Sequence, residues 1–290
     1  MREYRNVIIE ITDRCNLACK GCYREHRETH GQDMSFNMFG DILREIPSPT
    51  NVILFSDGEP LLHPHLPAFI EAAGERGHRV TIGTNGTQYD QAVTDMLFKY
   101  KGKVCVSIDG YYPKTVKYLR GANLMLIEES VINYTSAGLN VGVSMLRNGQ
   151  DFLEEQFFIT SWTAAVNYVV IRKMLKMEPW GVERTSDCRQ IGGEFITFRV
   201  NGTIPLCERN MRAPIQGTYK SIETAEAGMD EHDMSGLLNF CDSCGQRYTG
   251  EKEVGTCEIS GHVLHYTEDY FNKIYSEVEV DKALKSEGRR

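Results

Sequence analysis

The chain has 290 residues, of which 41% are hydrophobic and 25% are charged, and its formal net charge is -8 at pH 7. This composition is typical of a globular protein with a sizeable core, in one large domain or two unequal ones. The negative balance argues against a protein that binds nucleic acid through a broad basic face, whereas it would suit a cationic substrate.

The start of the sequence indicates neither a secretion signal nor a membrane anchor. Its apolar stretch, VIIEIT at residues 7–12, is short and is broken by Glu10 and Asp13. No apolar run in the chain reaches the length of a membrane helix. We therefore expect a cytoplasmic protein without a membrane partner. Thiols stay reduced in that compartment, so the nine cysteines indicate metal ligands or reactive thiols rather than disulfides.

The first 175 residues alternate between β-branched apolar runs and stretches with helical periodicity. The apolar runs predict strands at 7–12, 52–56, 79–84, 103–109, 140–146 and 168–175. The stretches between them predict helices at 35–46, 66–77, 90–100, 124–137 and 151–164. Strands that alternate with helices form parallel βαβ units. The sequence therefore predicts an α/β fold with a partial (β/α)6 barrel, and a flat doubly wound sheet is the alternative.

Polar and glycine-rich residues follow the first four predicted strands. The first strand leads into a group of cysteines, and the next three lead into SDGEP (56–60), TNG (84–86) and SIDG (107–110). Functional residues of such folds lie at the carboxyl ends of the strands. We therefore expect a ligand at this rim of the sheet.

The alternation of strands and helices ends after about residue 180. FITFRVNGTIPLC (195–207) predicts a β-hairpin with Asn201-Gly202 at its turn, and the pair of cysteines in CDSC (241–244) follows. We predict three regions. They are a barrel over 1–180, a small auxiliary domain with a β-hairpin over 181–262, and a C-terminal helix and charged tail over 263–290.

Three cysteines lie close together after the first strand. Cys15, Cys19 and Cys22 are separated by three residues and then by two. Thiolates are the usual ligands of iron–sulfur clusters, and a cubane [4Fe–4S] cluster has four irons. Three thiolates would leave one iron open, and an open coordination position is a binding site. A zinc site completed by His26 or His30 is the alternative.

This cysteine spacing in ITDRCNLACKGCY, together with SDGEPLLHP (56–64), closely resembles the radical S-adenosylmethionine (SAM) superfamily, whose second segment reads GGEP. The resemblance implies that Cys15, Cys19 and Cys22 hold a [4Fe–4S] cluster whose open iron binds SAM. It also implies an electron donor of the flavodoxin or ferredoxin type. The reduced cluster would cleave SAM to methionine and a 5′-deoxyadenosyl radical, which abstracts hydrogen from a substrate carbon.

The same resemblance implies contacts with SAM at the strand ends. The candidates are Tyr23 over the adenine, Gly58 and Glu59 at the methionine amino group, Ser107 and Asp109 at the ribose, and Asn85 after the third strand. One departure stands out, because Asp57 takes the place of the first glycine of GGEP. It is expected to put an extra carboxylate near the cofactor.

A second set of cysteines lies in the C-terminal part of the chain and consists of Cys188, Cys207, Cys241 and Cys244. It resembles the auxiliary-cluster extensions of radical SAM enzymes. The longer form, called SPASM, has further closely spaced cysteines that are missing here, so the resemblance implies the shorter twitch form with one auxiliary [4Fe–4S] cluster. A structural zinc site with four thiolates is the alternative.

Four further residues have open roles. Cys257 is a spare thiol, a substitute ligand, or a hydrogen-atom donor of the kind that some radical SAM epimerases use. Cys105 lies within an apolar strand and is expected to belong to the core. Arg147 and Arg172 lie near the ends of the fifth and sixth strands, where either would reach a substrate or form a salt bridge.

The sequence thus predicts a radical SAM enzyme without identifying its substrate. Size and cysteine spacing resemble twitch dehydrogenases of aminoglycoside cyclitols. We therefore favour oxidation of a small natural product such as an amino-sugar or cyclitol, and epimerisation is a related reaction. Modification of a ribosomal peptide is the alternative substrate class, although no leader-recognition module is expected before the first strand. A non-catalytic iron–sulfur or zinc-binding module is the alternative from another class.

Overall fold

The computed structural model of the chain describes residues 6–22, 24, 31–173, 195–205, 215–222, 256–259 and 262–265. Strands β1 to β6 are Asn6–Ile9, Asn51–Leu54, Arg79–Thr84, Lys103–Ser107, Asn140–Arg147 and Tyr168–Lys173. Helices α1 to α6 are Phe36–Glu45, Leu66–Glu75, Gln91–Lys99, Pro113–Arg120, Leu124–Ser136 and Phe152–Thr163. The strands and helices predicted before residue 175 are all present. Helix α4 was not predicted, because its eight residues are mostly polar and bury only Val116, Leu119 and Arg120.

Local sequence signals explain where several helices begin and end. Ser35, Asp90 and Asp151 precede α1, α3 and α6, and each side chain accepts a hydrogen bond from the backbone N–H three residues farther on. Such a cap contributes about 1 kcal/mol. Helix α4 ends at Gly121, whose φ of 72° lies in the left-handed region that favours glycine. No described helix is both long and apolar enough to span a bilayer.

One sheet of nine strands holds β1 to β6 in chain order, and all neighbours among these six are parallel. Further strands extend both edges. Strand β7 (Phe195–Phe198) runs parallel to β1. Strand β11 (His262–His265) runs parallel to β6 and pairs antiparallel with β10 (Thr256–Ile259). The predicted α/β class is confirmed.

The segment 195–207 has its turn where the sequence predicts it, but the strand pairing differs. Gly202 lies at the turn with a φ of 79°, in the region that favours glycine. Strand β7 belongs to the large sheet, whereas β8 (Thr203–Pro205) pairs with β9 (Ile215–Thr218) in a second sheet. The Arg199 N–H donates to the Thr203 carbonyl at 2.8 Å across that turn, so the predicted turn is confirmed, although β7 and β8 belong to different sheets. Pairing of β7 with β1 joins residues nearly two hundred positions apart, which local turn chemistry cannot specify.

The large sheet is strongly curved. The guanidinium carbon of Arg172 on β6 lies 5.9 Å from the ring centre of Phe55, which directly follows β2. Three strands separate β2 from β6, so a flat sheet would hold them about 19 Å apart. Side chains from the two strands therefore meet across an interior, as expected for a partial barrel.

Alternation along the strands divides the side chains between two faces. One face packs against the helices and forms the core, with Val7, Ile9, Val52, Leu54, Val80, Ile82, Val104, Val106, Val141 and Val143 against Phe39, Ile42, Phe69, Ile70, Leu97 and Ile127. The other face lines the concave interior. Its middle row crosses four strands in register, through Gly83, Cys105, Gly142 and Tyr168.

Candidate active site

The loop that follows β1 carries the three clustered cysteines and is anchored at both ends. Asp13 is buried, and its Oδ1 accepts hydrogen bonds from the backbone N–H groups of Gly31 and Gln32, both at 2.7 Å. The hydroxyl of Thr12 donates to the Asp33 carboxylate at 2.7 Å. These bonds join residues 12–13 to residues 31–33, so they hold the two ends of the cysteine loop together at the rim of the sheet.

Cys15, Cys19 and Cys22 are free and partly exposed. The backbone N–H of Cys22 donates to the Cys19 carbonyl at 3.2 Å, so these two residues share one turn. Burial raises the pKa of Cys19 to about 11, opposed by Arg120 and reinforced by the charges of Cys22 and Cys15. Three thiols that influence one another in this way are near neighbours. A bound metal must displace their protons, because thiolates are the ligands.

The donor set fits an iron–sulfur cubane better than a single metal ion. No three His, Cys, Asp or Glu side chains within the described residues are gathered closely enough to hold one ion. Each thiolate of a cubane binds a different iron, so its ligands lie farther apart than the ligands of a tetrahedral zinc. His26 and His30, the alternative zinc ligands, lie outside the described residues.

The second motif packs directly against the cysteine loop. The Glu59 backbone N–H donates to the Arg14 carbonyl at 2.7 Å. A Cβ atom at Gly58 would lie 2.0 Å from the Thr12 carbonyl oxygen, so only glycine permits this approach. The two motifs that carry the sequence resemblance are therefore in backbone contact.

We expect Gly58→Ala to lower the free energy of unfolding and to reduce the iron that the reconstituted protein retains. Overpacking against a side chain costs about 1–3 kcal/mol, and the obstacle here is backbone, so we expect the upper part of that range. Urea unfolding of the metal-free protein, with an iron assay after reconstitution, measures both effects. Gly40→Ala in α1 is the matched control, because a Cβ there would meet only Arg44 Nη1 at 3.9 Å. Equal stability of the two variants would contradict this account.

Glu59 connects the ends of β2 and β3. Its carboxylate accepts hydrogen bonds from Leu61 N at 3.1 Å, Thr84 Oγ1 at 2.8 Å and Asn85 N at 2.6 Å. The residue is 2% exposed, and this burial raises the pKa of its carboxyl, which the hydrogen bonds oppose. The Glu59 side chain is therefore occupied by contacts within the protein. The contact of Gly58 and Glu59 with the SAM amino group stays a prediction, and main-chain atoms would make it.

Asn85 lies beside the cysteine loop rather than apart from it. Its Nδ2 donates to Asn16 Oδ1 at 2.8 Å and lies 4.0 Å from Cys15 Sγ. Its Oδ1 accepts a hydrogen bond from the Thr87 hydroxyl at 2.7 Å. This side chain therefore links the end of β3 to the first cysteine.

Asp109 is held in an unusual conformation at the end of β4. Its φ of 62° lies in the left-handed region, which residues other than glycine seldom adopt. Its Oδ1 accepts a hydrogen bond from Leu146 N at 2.6 Å, and its Oδ2 pairs with Arg120. Ser107, two residues earlier, accepts a 3.3 Å hydrogen bond from the Ser144 hydroxyl. The two predicted ribose residues thus lie at one strand end, beside β5.

Sequence reasoning missed Arg120, the last residue of α4. Arg120 is 8% exposed, and its Nε has no hydrogen-bond partner within the part of the chain that the structure describes. Its carbonyl oxygen lies 3.8 Å from Cys19 Sγ, so a buried cation stands next to the cluster loop. The sequence did not single out Arg120, because the helix that carries it was not predicted.

The extra carboxylate of Asp57 is balanced by an arginine that follows β7. Arg199 Nη1 lies 3.1 Å from Asp57 Oδ2 and 3.8 Å from Glu10 Oε1. All three side chains are buried, with 8%, 12% and 0% exposure. Glu10 Oε2 also accepts a hydrogen bond from Val200 N at 3.1 Å. This cluster of charges connects the ends of β1, β2 and β7, and the sequence alone did not indicate it.

Several predicted residues lie outside the described part of the chain. They are Tyr23 and the four C-terminal cysteines, Cys188, Cys207, Cys241 and Cys244. Cys257 falls in the edge strand β10, opposite Leu264 of β11. The roles of these residues stay predictions. Cys105, expected in the core, is buried.

A model of the Radical SAM superfamily matches residues 9–158, which are 150 of the 290 residues. The chain belongs to the radical SAM superfamily. Membership in the radical SAM superfamily implies a [4Fe–4S] cluster and SAM as cofactors. The loop with Cys15, Cys19 and Cys22 and the backbone contact at Gly58 supply the protein groups that fit them.

Two curated relatives share the radical SAM region. The probable GTP 3′,8-cyclase of Methanococcus maripaludis is 30% identical over 189 residues, which cover 61% of this chain and 61% of that protein. The S-adenosylmethionine-dependent nucleotide dehydratase of Selenomonas ruminantium is 25% identical over 182 residues, which cover 61% of this chain and 65% of that protein. The chain spans less than two thirds of the length of each.

Solved structures of radical SAM proteins share the fold. Streptococcus suis SuiB bound to precursor peptide SuiA superposes with a TM-score of 0.66 at 13% identity, over 84% of this chain and 70% of SuiB. SuiB bound to S-adenosylmethionine gives a TM-score of 0.65 at 14% identity, over 84% and 71%. At such identity the likeness shows the fold alone.

Proposed function

We propose that this radical SAM enzyme removes hydrogen from a small molecule held inside the curved sheet, next to the cysteine loop. The observation that carries the proposal is the packing of that loop on the SDGEP backbone at the mouth of the concave interior, where the Ser107 and Ser144 hydroxyls also lie. When bound, the cluster supplies the electron that cleaves SAM to methionine and a 5′-deoxyadenosyl radical. The protein's own residues bind, orient and exclude competing reactions.

The described residues take separate roles in this proposal. Cys15, Cys19 and Cys22 hold the cluster. Ser107 and Asp109 orient the ribose of SAM. The buried guanidinium of Arg120 favours the SAM carboxylate, because Nε is free to donate within the described surroundings and a cation in a poorly solvated site attracts an anion strongly.

The reaction that we favour is a two-electron oxidation. One substrate C–H hydrogen leaves as an atom and forms 5′-deoxyadenosine. Cys188, Cys207, Cys241 and Cys244 would hold an auxiliary [4Fe–4S] cluster, which would supply the acceptor for the second electron, and a proton from a neighbouring O–H or N–H group of the substrate would leave to solvent. The product is two hydrogens lighter. A flavodoxin or ferredoxin supplies the electron for SAM cleavage.

A small molecule is the substrate class that we favour, with an amino-sugar or cyclitol as the candidate from cysteine spacing. The relatives named above act on GTP and on a nucleotide, which are also small molecules. Epimerisation with Cys257 as hydrogen donor is the related reaction. SuiB binds a precursor peptide, so a peptide substrate stays the alternative class.

Removal of the auxiliary ligands tests the oxidation. We expect the double variant Cys241→Ala/Cys244→Ala to bind about four irons where the wild type binds about eight. It should still form 5′-deoxyadenosine with dithionite but lose the product that is two hydrogens lighter, because the substrate electron has no acceptor. Iron and sulfide assays with mass spectrometry of the products measure this.

Cys105→Ala is the control for the loss of a thiol, because Cys105 lies in β4 and belongs to neither predicted set of cluster ligands. Its iron content should match the wild type. If the wild type itself binds only about four irons, the auxiliary-cluster oxidation falls and a redox-neutral reaction replaces it. If wild type loaded with iron forms no 5′-deoxyadenosine, the enzyme proposal falls as a whole.

A further inference from the structure

Four arginines at the rim of the sheet have carboxylate partners. The pairs are Arg14 with Asp33, Arg120 with Asp109, Arg147 with Glu155, and Arg199 with Asp57. Arg172 on β6 has no carboxylate within ion-pair distance among the residues that the structure describes. Sequence reasoning left both Arg147 and Arg172 as substrate contacts or salt bridges. Of these two arginines, only Arg147 forms a salt bridge within the described part of the chain.

Arg172 points its charge into the interior of the curved sheet. Its guanidinium carbon lies 5.9 Å from the ring centre of Phe55, across the interior from β6. Its positive charge also opposes the rise in the pKa of the Cys105 thiol, which burial causes. Cys105 belongs to the middle row of the concave face, so the guanidinium lies over that row.

The surroundings of this cation are closely packed and largely apolar. A Cβ at Gly83 would lie 2.7 Å from Phe55 Cδ1, and a Cβ at Gly142 would lie 2.0 Å from Tyr168 Cε2. The two glycines therefore leave room for the rings of Phe55 and Tyr168 on the concave face. A partly buried cation against aromatic rings interacts with an anion more strongly than it would in water.

The position of Arg172 along its strand brings it level with the predicted SAM site. Arg172 pairs in register with Leu146 on β5. The backbone N–H of Leu146 donates to Asp109 Oδ1 at 2.6 Å, and Asp109 is a predicted ribose contact. A group bound by Arg172 would therefore lie in the interior close to the place where the radical forms.

We propose that Arg172 binds an oxyanion of the substrate, a phosphate or a carboxylate, inside the curved sheet. The planar guanidinium matches both groups with two parallel hydrogen bonds, and the Phe55 ring supports its face. This inference rests on the proposed function, since it assigns part of the same substrate site. It narrows the substrate to molecules with an anionic group, and a cyclitol that carries only amino groups would not fit.

Binding of simple anions to the reconstituted, SAM-loaded enzyme tests this site. Inorganic pyrophosphate represents the phosphate source and glutarate the carboxylate source, and both are titrated calorimetrically. We expect one of them to bind the wild type and to bind Arg172→Gln about tenfold more weakly or not at all, because a charge-assisted pair is lost. The probe that binds identifies the source.

Two further variants make the result specific. Arg44→Gln removes an exposed arginine of α1 and should bind the probe as the wild type does. Arg172→Lys keeps the charge without the planar fork, so we expect intermediate affinity, and it replaces Arg172→Gln if that variant does not fold. Equal binding by the wild type and the Arg172 variants, or binding of neither probe at millimolar concentration, would overturn the inference.

The same samples separate this inference from the proposed function. Arg172→Gln should still form 5′-deoxyadenosine with dithionite in the absence of substrate, because Arg172 is not assigned to SAM or to the cluster. Loss of anion binding with SAM cleavage intact supports the anion site. Failure of the wild type to cleave SAM would refute the proposed function, whatever the probes show.

Discussion

Replacing Cys15, Cys19 and Cys22 together by alanine is expected to abolish SAM cleavage and to remove about four irons from the reconstituted protein. The physical reason is the chemistry of the loop. The three thiols lie near one another, and no three potential ligands in the described part of the chain are gathered for a single ion. Without the three thiolates the loop lacks the ligands that iron–sulfur clusters usually require. Iron and sulfide assays, EPR and the yield of 5′-deoxyadenosine measure the loss.

The Cys105→Ala variant controls for the general effect of removing a cysteine. It should keep its iron content and its 5′-deoxyadenosine yield, although it leaves a small cavity in β4. Retention of all iron by the triple variant would mean that these cysteines hold no cluster. The radical mechanism proposed for this chain would then be refuted.

Replacing Arg199 by methionine is expected to lower the free energy of unfolding by about 3–5 kcal/mol. Arg199 is buried between Asp57 and Glu10, so its removal takes a cation away from two buried carboxylates. The charge of Asp57 also raises the pKa of Cys22, after burial, which places this carboxylate near the cluster loop. We therefore also expect the cluster of Arg199→Met to be harder to reduce, because negative charge nearby opposes an added electron.

A double-mutant cycle isolates the interaction. Asp57→Asn in the Arg199→Met background restores the net charge of the group, so we expect most of the lost stability and the original reduction potential to return. Urea unfolding and an EPR redox titration measure the two quantities. Arg44→Met is the control, since the exposed pair of Arg44 with Asp41 contributes at most about 1 kcal/mol. Additive effects of the two substitutions would show that Arg199 does not act through Asp57.

The Arg199 pair connects the end of strand β7 to the SDGEP segment, where SAM is predicted to bind. Residues 9–158 carry the superfamily match, and Arg199 lies beyond them. The departure of Asp57 from the glycine of GGEP is therefore accompanied by a compensating cation from a later part of the chain. This chain is expected to lose cluster stability when it is truncated after residue 173, although both sequence motifs would remain.

Much of the fold follows from local pattern. β-Branched apolar runs predict β1 to β6, and apolar residues at helical spacing predict the five longer helices, because burial of these side chains imposes the two patterns. The spacing of Cys15, Cys19 and Cys22 and the SDGEP segment point to the superfamily that the family match shows. Helix α4 was not predicted because its eight residues are mostly polar and bury only two apolar side chains.

Interactions between residues distant in the chain were decided only by the tertiary structure. The sequence could not distinguish Arg147, which pairs with Glu155 eight residues away, from Arg172, which reaches Phe55 across the interior. It could not place Arg199 beside Asp57, or Arg120 beside Cys19. Local periodicity reports which face of an element is buried, whereas partners across a sheet depend on strand order and curvature. The sequence by itself predicted the cysteine chemistry and the superfamily. The curvature of the sheet determines which charged groups meet, and it leaves Arg172 without a carboxylate partner in the described interior.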